Sequence, residues 1–136
     1  MIIMAVDLGK ARTGIAASDK TEYLASPVKV ISQHNREKLL SEICETAREI
    51  KAELIVVGLP KNMDGSEGES AQNARNMAGL IADELGLEVK LWDERCTTVT
   101  AHGYLNDTNT RGKKRKAVID SVAATVILQS FLDSRR

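Results

Sequence analysis

Aromatic residues are scarce in this chain: one Phe, one Trp and two Tyr among 136 residues. The core must therefore be aliphatic, and recognition of a nucleic acid by stacking bases on several aromatic rings is disfavoured. Net charge is also missing, because 19 basic side chains balance 19 acidic ones. Overall charge thus names no partner, and any electrostatic signal must lie in how the charges are distributed. No apolar run is long enough to span a bilayer. The first residues are too short and too uncharged to read as a signal peptide. Only two cysteines occur, Cys44 and Cys96, at no metal-ligand spacing, and free thiols in a reducing cytoplasm are expected. No internal repeat or low-complexity linker divides the sequence.

What is present suits one compact domain, expected over 1–136. With 43% hydrophobic residues there is enough apolar material for a sizeable core, and 28% charged residues point to a soluble chain. Residues 2–8 form a greasy run with the character of a strand buried on both faces. "TGIAASD" (13–19) and "ASPVKVIS" (25–32) read as two more strands in hairpin succession. The period then changes. Leu39, Leu40, Ile43, Ala47 and Ile50 predict a helix over 36–51, with Asn35 as its N-cap and Cys44 as core filler at the edge of the stripe. "ELIVVGLP" (53–60) predicts a fourth strand. A glycine-bearing polar loop leads to a helix over 70–85, with Ala74, Met77, Ala78, Ile81 and Leu85 on one stripe and Gly86 as its stop. "EVKLW" (88–92) predicts the fifth strand, and Thr97 or Thr98 a cap for a short helix through Leu105. "NDTNTRGKKRK" (106–116) reads as a basic connection. The last helix is expected over 115–133, with Ile119, Val122, Ala123, Val126 and Ile127 on its apolar face. The pattern predicts an α/β fold with a five-stranded mixed sheet flanked by helices, the first three strands antiparallel and the later ones joined by parallel crossovers.

The acids fall at informative places. Asp7 ends the first strand, Asp93 and Glu94 end the fifth, and Asp120 lies near the start of the last helix, about 100° from the middle of its predicted stripe. Ligands of open α/β sheets gather at the carboxyl ends of parallel strands. Acids converging there repel one another unless a cation sits among them, and carboxylate oxygens suit Mg²⁺ or Mn²⁺. Two such ions can drive phosphodiester hydrolysis. Each acid also has a plain structural explanation. Asp7 can open a turn with Gly9, Asp93–Glu94 can pair with Arg95 in solvent, and Asp120 can complement a helix dipole. "RGKKRK" (111–116) places five cations in six positions just ahead of Asp120, which suits a phosphate backbone, or else a solvated loop. His34 and His102 lack partners at metal-ligand spacing and read as surface or capping residues. "DGSEG" (64–68) lacks the frame of a dinucleotide-binding turn.

Four ordered motifs, "DLGKARTG" (7–14), "VVGLPKNMDGSEG" (56–68), "DERCTT" (93–98) and "KRKAVIDSVAATVILQSFL" (114–132), are spread over essentially the whole chain. Together they resemble the YqgF/RuvX family of pre-16S rRNA nucleases, relatives of Holliday-junction resolvases. The resemblance implies a ribonuclease H-like fold and a cytoplasmic, metal-dependent nuclease that processes the 5′ end of pre-16S rRNA. It implies Asp7, Glu94 and Asp120 as catalytic metal ligands for Mg²⁺ or Mn²⁺. It implies Arg12, Arg95, Lys114 and Lys116 as contacts to nucleic acid. In the related resolvases an acid follows the fourth strand, whereas this chain has Gly58-Leu59-Pro60, so Glu94 would take its place. Many family members carry Lys immediately before the motif Arg, where this chain has Ala11, with Lys10 one place earlier. Asp93 stands as the alternative to Glu94, since parity does not choose between neighbours in a strand buried on both sides. Branched DNA remains an alternative substrate. So does a non-catalytic RNA-binding role in ribosome assembly, using the basic residues alone. The expected partner is an rRNA precursor or structured DNA, with no membrane, and the expected state is a monomer or homodimer. An actin-like ATPase, suggested by "DLGKARTGIA", would need a duplicated domain and a second Asp-x-Gly loop.

Overall fold

The computed structural model describes residues 1–9, 11–94 and 112–135, with side chains in the last helix from Val122 onward. The elements follow the expected order: β1 (Ile3–Leu8), β2 (Thr13–Ser18), β3 (Ala25–Ile31), α1 (Arg36–Ile50), β4 (Leu54–Leu59), α2 (Glu69–Leu85), β5 (Glu88–Asp93) and α3 (Gly112–Ser134). They build one five-stranded sheet in the order β3-β2-β1-β4-β5. β1 runs antiparallel to β2, and β2 to β3, while β1 with β4 and β4 with β5 are parallel. The mixed sheet is thus as anticipated. The short helix expected after Thr97 or Thr98 lies outside the described residues.

Helices cover both faces. On one side Met4, Val6, Ile55 and Val57 pack with Ile43 and Ala47 of α1 and Ala74, Met77 and Ile81 of α2. On the other, Ile3, Ala5, Leu54 and Val56 pack beneath Ala124, Ile127, Leu128 and Phe131 of α3. β1 and β4 alternate between two buried layers, which is why both read as unbroken apolar runs. Gln129 of α3 ties the helix to the hairpin, accepting from Ala25 N–H at 2.9 Å and donating to the Tyr23 carbonyl at 3.1 Å.

The helix ends follow their local chemistry. The Asn35 side chain accepts from Lys38 N–H at 3.0 Å, as an N-cap should. α2 stops at Gly86 in the left-handed region, φ 66°. α1 stops at Lys51 in the same region, φ 61°, where a side chain is strained. Cys44 is buried in the α1 layer as a free thiol.

Three expectations need correction. β5 is the sheet's last strand and only partly covered, with Glu88 and Lys90 exposed, so it is not buried on both sides. Residues 112–116 are the first turns of α3 and not a connection. Val126 and Ile127 of α3 are buried as expected, together with Ala124, Leu128, Phe131 and Leu132, whereas Val122 and Ala123 are only half-buried. The run from Val122 to Leu128 is apolar almost all the way round, so periodicity there could not fix the inward direction. Finally, no helix among the described residues is long and apolar enough to cross a membrane.

Candidate active site

Because β1, β4 and β5 are parallel, their carboxyl ends share one rim of the sheet. Asp7 is the penultimate residue of β1, paired with Gly14 of β2. Ile3 and Ala5 face α3, and Asp7 continues that row. On β5, Val89 and Leu91 pack toward α1 and α2, while Trp92 packs toward α3. Alternation therefore puts residue 94 on the α3 side with Asp7, and Asp93 on the opposite side. The two α3-side carboxyls meet: Glu94 donates a hydrogen bond to Asp7.

Between them lies Gly58 of β4. The register sets Val57 beside Val6 and Gly58 beside Trp92. The Glu94 side chain runs over this glycine, so that a Cβ built on Gly58 would fall 3.0 Å from Glu94 Cδ and 2.9 Å from Ile127 Cδ1.

Desolvation dominates the electrostatics. It raises the pKa of Asp7, with the hydrogen bond from Glu94 acting in the opposite sense. It also raises that of Glu94, where the bond to Asp7 and the charges of Asp7 and Asp93 add, pushing the group up to about 9. At neutral pH the pair holds a proton between its two carboxyls. A site that retains a proton to relieve acid–acid repulsion is chemically suited to a hard cation, which would satisfy the same oxygens. Among the described residues no group of three or more His, Cys, Asp or Glu side chains gathers in metal-binding array. The third expected acid, Asp120, has only its backbone described, within α3.

Of the expected nucleic-acid contacts, Arg12 lies in the β1–β2 turn, which is closed by Gly9 N–H donating to the Arg12 carbonyl at 2.9 Å. Its Nη1 is buried with no hydrogen-bond partner among the described residues. A cavity of about 140 Å³ opens beside it, lined also by His34, Arg36, Gln33 and Asn73, with no acid among the described residues of its walls. Arg36 donates to Asn73 across this cavity. It lies against Leu39 and Met77, hence on the α1/α2 side of the sheet, opposite to the acid pair. Arg95 lies outside the described residues, and Lys114 and Lys116 are placed only as positions in the opening of α3.

Three features of the rim escaped the sequence reading. Gly58 read only as the end of the fourth strand, at the place where the related resolvases carry an acid. Arg36 looked like the start of a helix. Trp92, edge-on to Phe131 with ring centres 5.6 Å apart, buries an indole Nε1 that has no partner among the described residues. An N–H orphaned two residues before an acid is visible only once the strand's inward side is known.

Comparison with known proteins agrees with this architecture. The family described as "RuvX: Holliday junction resolvase" matches residues 1–134. A protein of Clostridium botulinum (strain Eklund 17B / Type B), named "Putative pre-16S rRNA nuclease", is 42% identical over 133 residues, covering 98% of this chain and 97% of that one. A protein of the same name from Geobacillus sp. (strain WCH70) is 41% identical over 138 residues and covers both chains fully. Among solved structures, T. thermophilus RuvC in complex with Holliday junction substrate superposes with a TM-score of 0.64 at 13% identity, covering 99% of this chain and 95% of that one. That likeness establishes a ribonuclease H-like fold. With a family match along nearly its whole length and close relatives matched end to end, the chain belongs to the RuvX family.

Proposed function

We propose that this protein is a divalent-metal-dependent nuclease that trims the 5′ end of pre-16S rRNA in the cytoplasm, acting as a single domain over 1–136. The observation that carries the reading is the Asp7–Glu94 pair, two partly buried carboxyls hydrogen-bonded to each other at the shared rim. Burying acids side by side is costly, and a chain that retains such a pair at a sheet's carboxyl rim is best explained by a ligand. A purely RNA-binding assembly factor has no use for it.

In this reading Asp7, Glu94 and Asp120 hold Mg²⁺ or Mn²⁺. When bound, one or two such ions activate water and stabilise the departing oxygen of the phosphodiester. The chain's own residues do the rest. Asp7 and Glu94 give up their shared proton to become ligands. Arg12 meets a backbone phosphate on the far side of the rim, fulfilling its orphaned Nη1. Arg95, Lys114 and Lys116 add phosphate contacts. The names of the relatives favour an rRNA precursor, while the family description and the RuvC complex keep a four-way DNA junction as the second substrate to test.

The test is cleavage by purified protein of a 16S precursor 5′ leader and of a four-way junction, with Mg²⁺ or Mn²⁺ and with EDTA. Leader cleavage that needs metal, and that falls by orders of magnitude in Asp120→Asn while nucleic-acid binding persists, is the expected result. Undiminished cleavage in EDTA, with contaminating nuclease excluded, removes the metal mechanism. Preference for the junction reassigns the substrate.

A further inference from the structure

We propose that Gly58 is a positioning residue: the missing side chain at this point of β4 is what allows Glu94 to reach Asp7. The inference rests on the reading of that pair as metal ligands. β4 separates β1 from β5, so the two acids rise from strands two spacings apart, roughly 10 Å. Leu54 and Val56 fill the α3-facing row of β4, and position 58 is the next place in it. Any side chain there would stand between the two carboxyls. Instead the aliphatic part of Glu94 occupies the space, with Cγ and Cδ at 3.1 and 3.0 Å from where a Cβ would be.

Backbone conformation does not explain the glycine. The described glycines with positive φ are Gly65 and Gly86, and Gly58 is an ordinary residue of a central strand, paired with Trp92 of β5. Glycine weakens such a strand, since it brings no side chain to pack and loses more freedom on folding. What it provides here is room. Two neighbours claim that room, Glu94 and the Cδ1 of Ile127 at 2.9 Å, so a purely structural explanation competes, in which glycine serves only to seat α3. Because the two neighbours can be removed separately, the explanations can be told apart.

The experiment compares wild type, Ile127→Val, Gly58→Ala and Gly58→Ala/Ile127→Val. Valine lacks the Cδ1 atom, so the double variant relieves the clash with α3 and keeps the obstruction of Glu94. Three quantities are measured: melting temperature in EDTA, affinity for Mn²⁺ alone by calorimetry, and cleavage rate in saturating Mn²⁺. The double variant is expected to melt within a few degrees of Ile127→Val, to bind Mn²⁺ at least tenfold more weakly and to cleave at least a hundredfold more slowly. Binding of nucleic acid in EDTA should be unchanged. If the double variant binds Mn²⁺ and cleaves like Ile127→Val, Gly58 only seats the helix and the proposal falls. Should the double variant fail to fold, Gly58→Ala/Ile127→Ala, which opens more room, takes its place. A double-mutant cycle with Glu94→Gln separates this inference from the reading beneath it. If Gly58 acts through Glu94, Gly58→Ala costs no further Mn²⁺ affinity once Glu94 is gone. If Glu94→Gln itself leaves Mn²⁺ affinity untouched, Glu94 is no ligand and both ideas fail. If Glu94→Gln weakens Mn²⁺ and Gly58→Ala does not, only the positioning role is lost.

Discussion

Glu94 carries the clearest consequence for solution behaviour. Its pKa in the folded protein, about 9, is above the ordinary value of 4.5, so the folded state holds a proton that the unfolded state releases. Stability then falls as pH rises through the interval from about 4.5 to about 9, since the unfolded chain binds fewer protons there. Metal-free protein should therefore melt at a lower temperature at pH 8.5 than at pH 5.5. Glu94→Gln, which keeps the shape and removes the ionisation, should flatten that slope and raise the melting temperature in EDTA at pH 8 by a few degrees. An unchanged slope in the variant places the pH dependence elsewhere. At this scale the sequence was legible in part. Asp7 announced itself because an apolar strand rarely ends in an acid without purpose. Glu94 could not be separated from Asp93, because the choice depends on which side Trp92 packs, a tertiary fact. Gly58 stood out only as the place of an acid in the related resolvases, since what matters about it is an absent side chain in a neighbour's path.

The two central helices end on the same backbone conformation with different residues, Lys51 at φ 61° and Gly86 at φ 66°. Replacing Lys51 with Gly should stabilise the protein by about 0.5–1 kcal/mol, the relief of a left-handed side chain less the greater freedom of glycine in the unfolded chain. Gly86→Ala should destabilise it by a similar or larger amount, ~1 kcal/mol. Urea denaturation of both variants checks the pair, and a destabilised Lys51→Gly contradicts the account. The last helix offers a contrasting case. Lys113, Lys114, Arg115 and Lys116 fall in its opening turns, where no acid accompanies them and the helix dipole disfavours positive charge. Replacing all four with Ala should leave the helix no less stable. It should nonetheless weaken nucleic-acid binding and flatten its salt dependence by roughly one unit of log–log slope per lost contact. An unchanged slope assigns these side chains to solvent. Stripes on α1 and α2 were readable because polar residues interrupt the apolar ones at helical spacing. The seven residues from Val122 to Leu128 include a single polar side chain, Thr125, and that near-uniform apolarity hid which way α3 faces.

For the whole molecule, strand succession and direction were legible from hairpin-length and crossover-length connections. The spatial order, with β1 central and β3 and β5 at the margins, depends on packing that no local pattern encodes. β5 accordingly looked like an interior strand, although its exposed Glu88 and Lys90, 3.4 Å apart, mark it as a border. The opposite border is treated differently. On β3 the register shifts by one residue opposite Ile15 and Ala16, Pro27 stands at the irregularity, and Ser26 through Lys29 are exposed. A strand margin recruits foreign strands by offering them an unbroken row of free amide and carbonyl groups. Pro27 deletes a donor from that row, and the extra residue puts the remaining groups out of step. Pro27→Val should leave the melting temperature almost unchanged, yet promote concentration-dependent growth of particles in light scattering, most visibly near neutral pH. There the formal charge is close to zero, and little long-range repulsion keeps copies of the chain apart. For a protein without net charge, that outcome would make colloidal stability a property of a backbone irregularity, the imperfect pairing of its outermost strand.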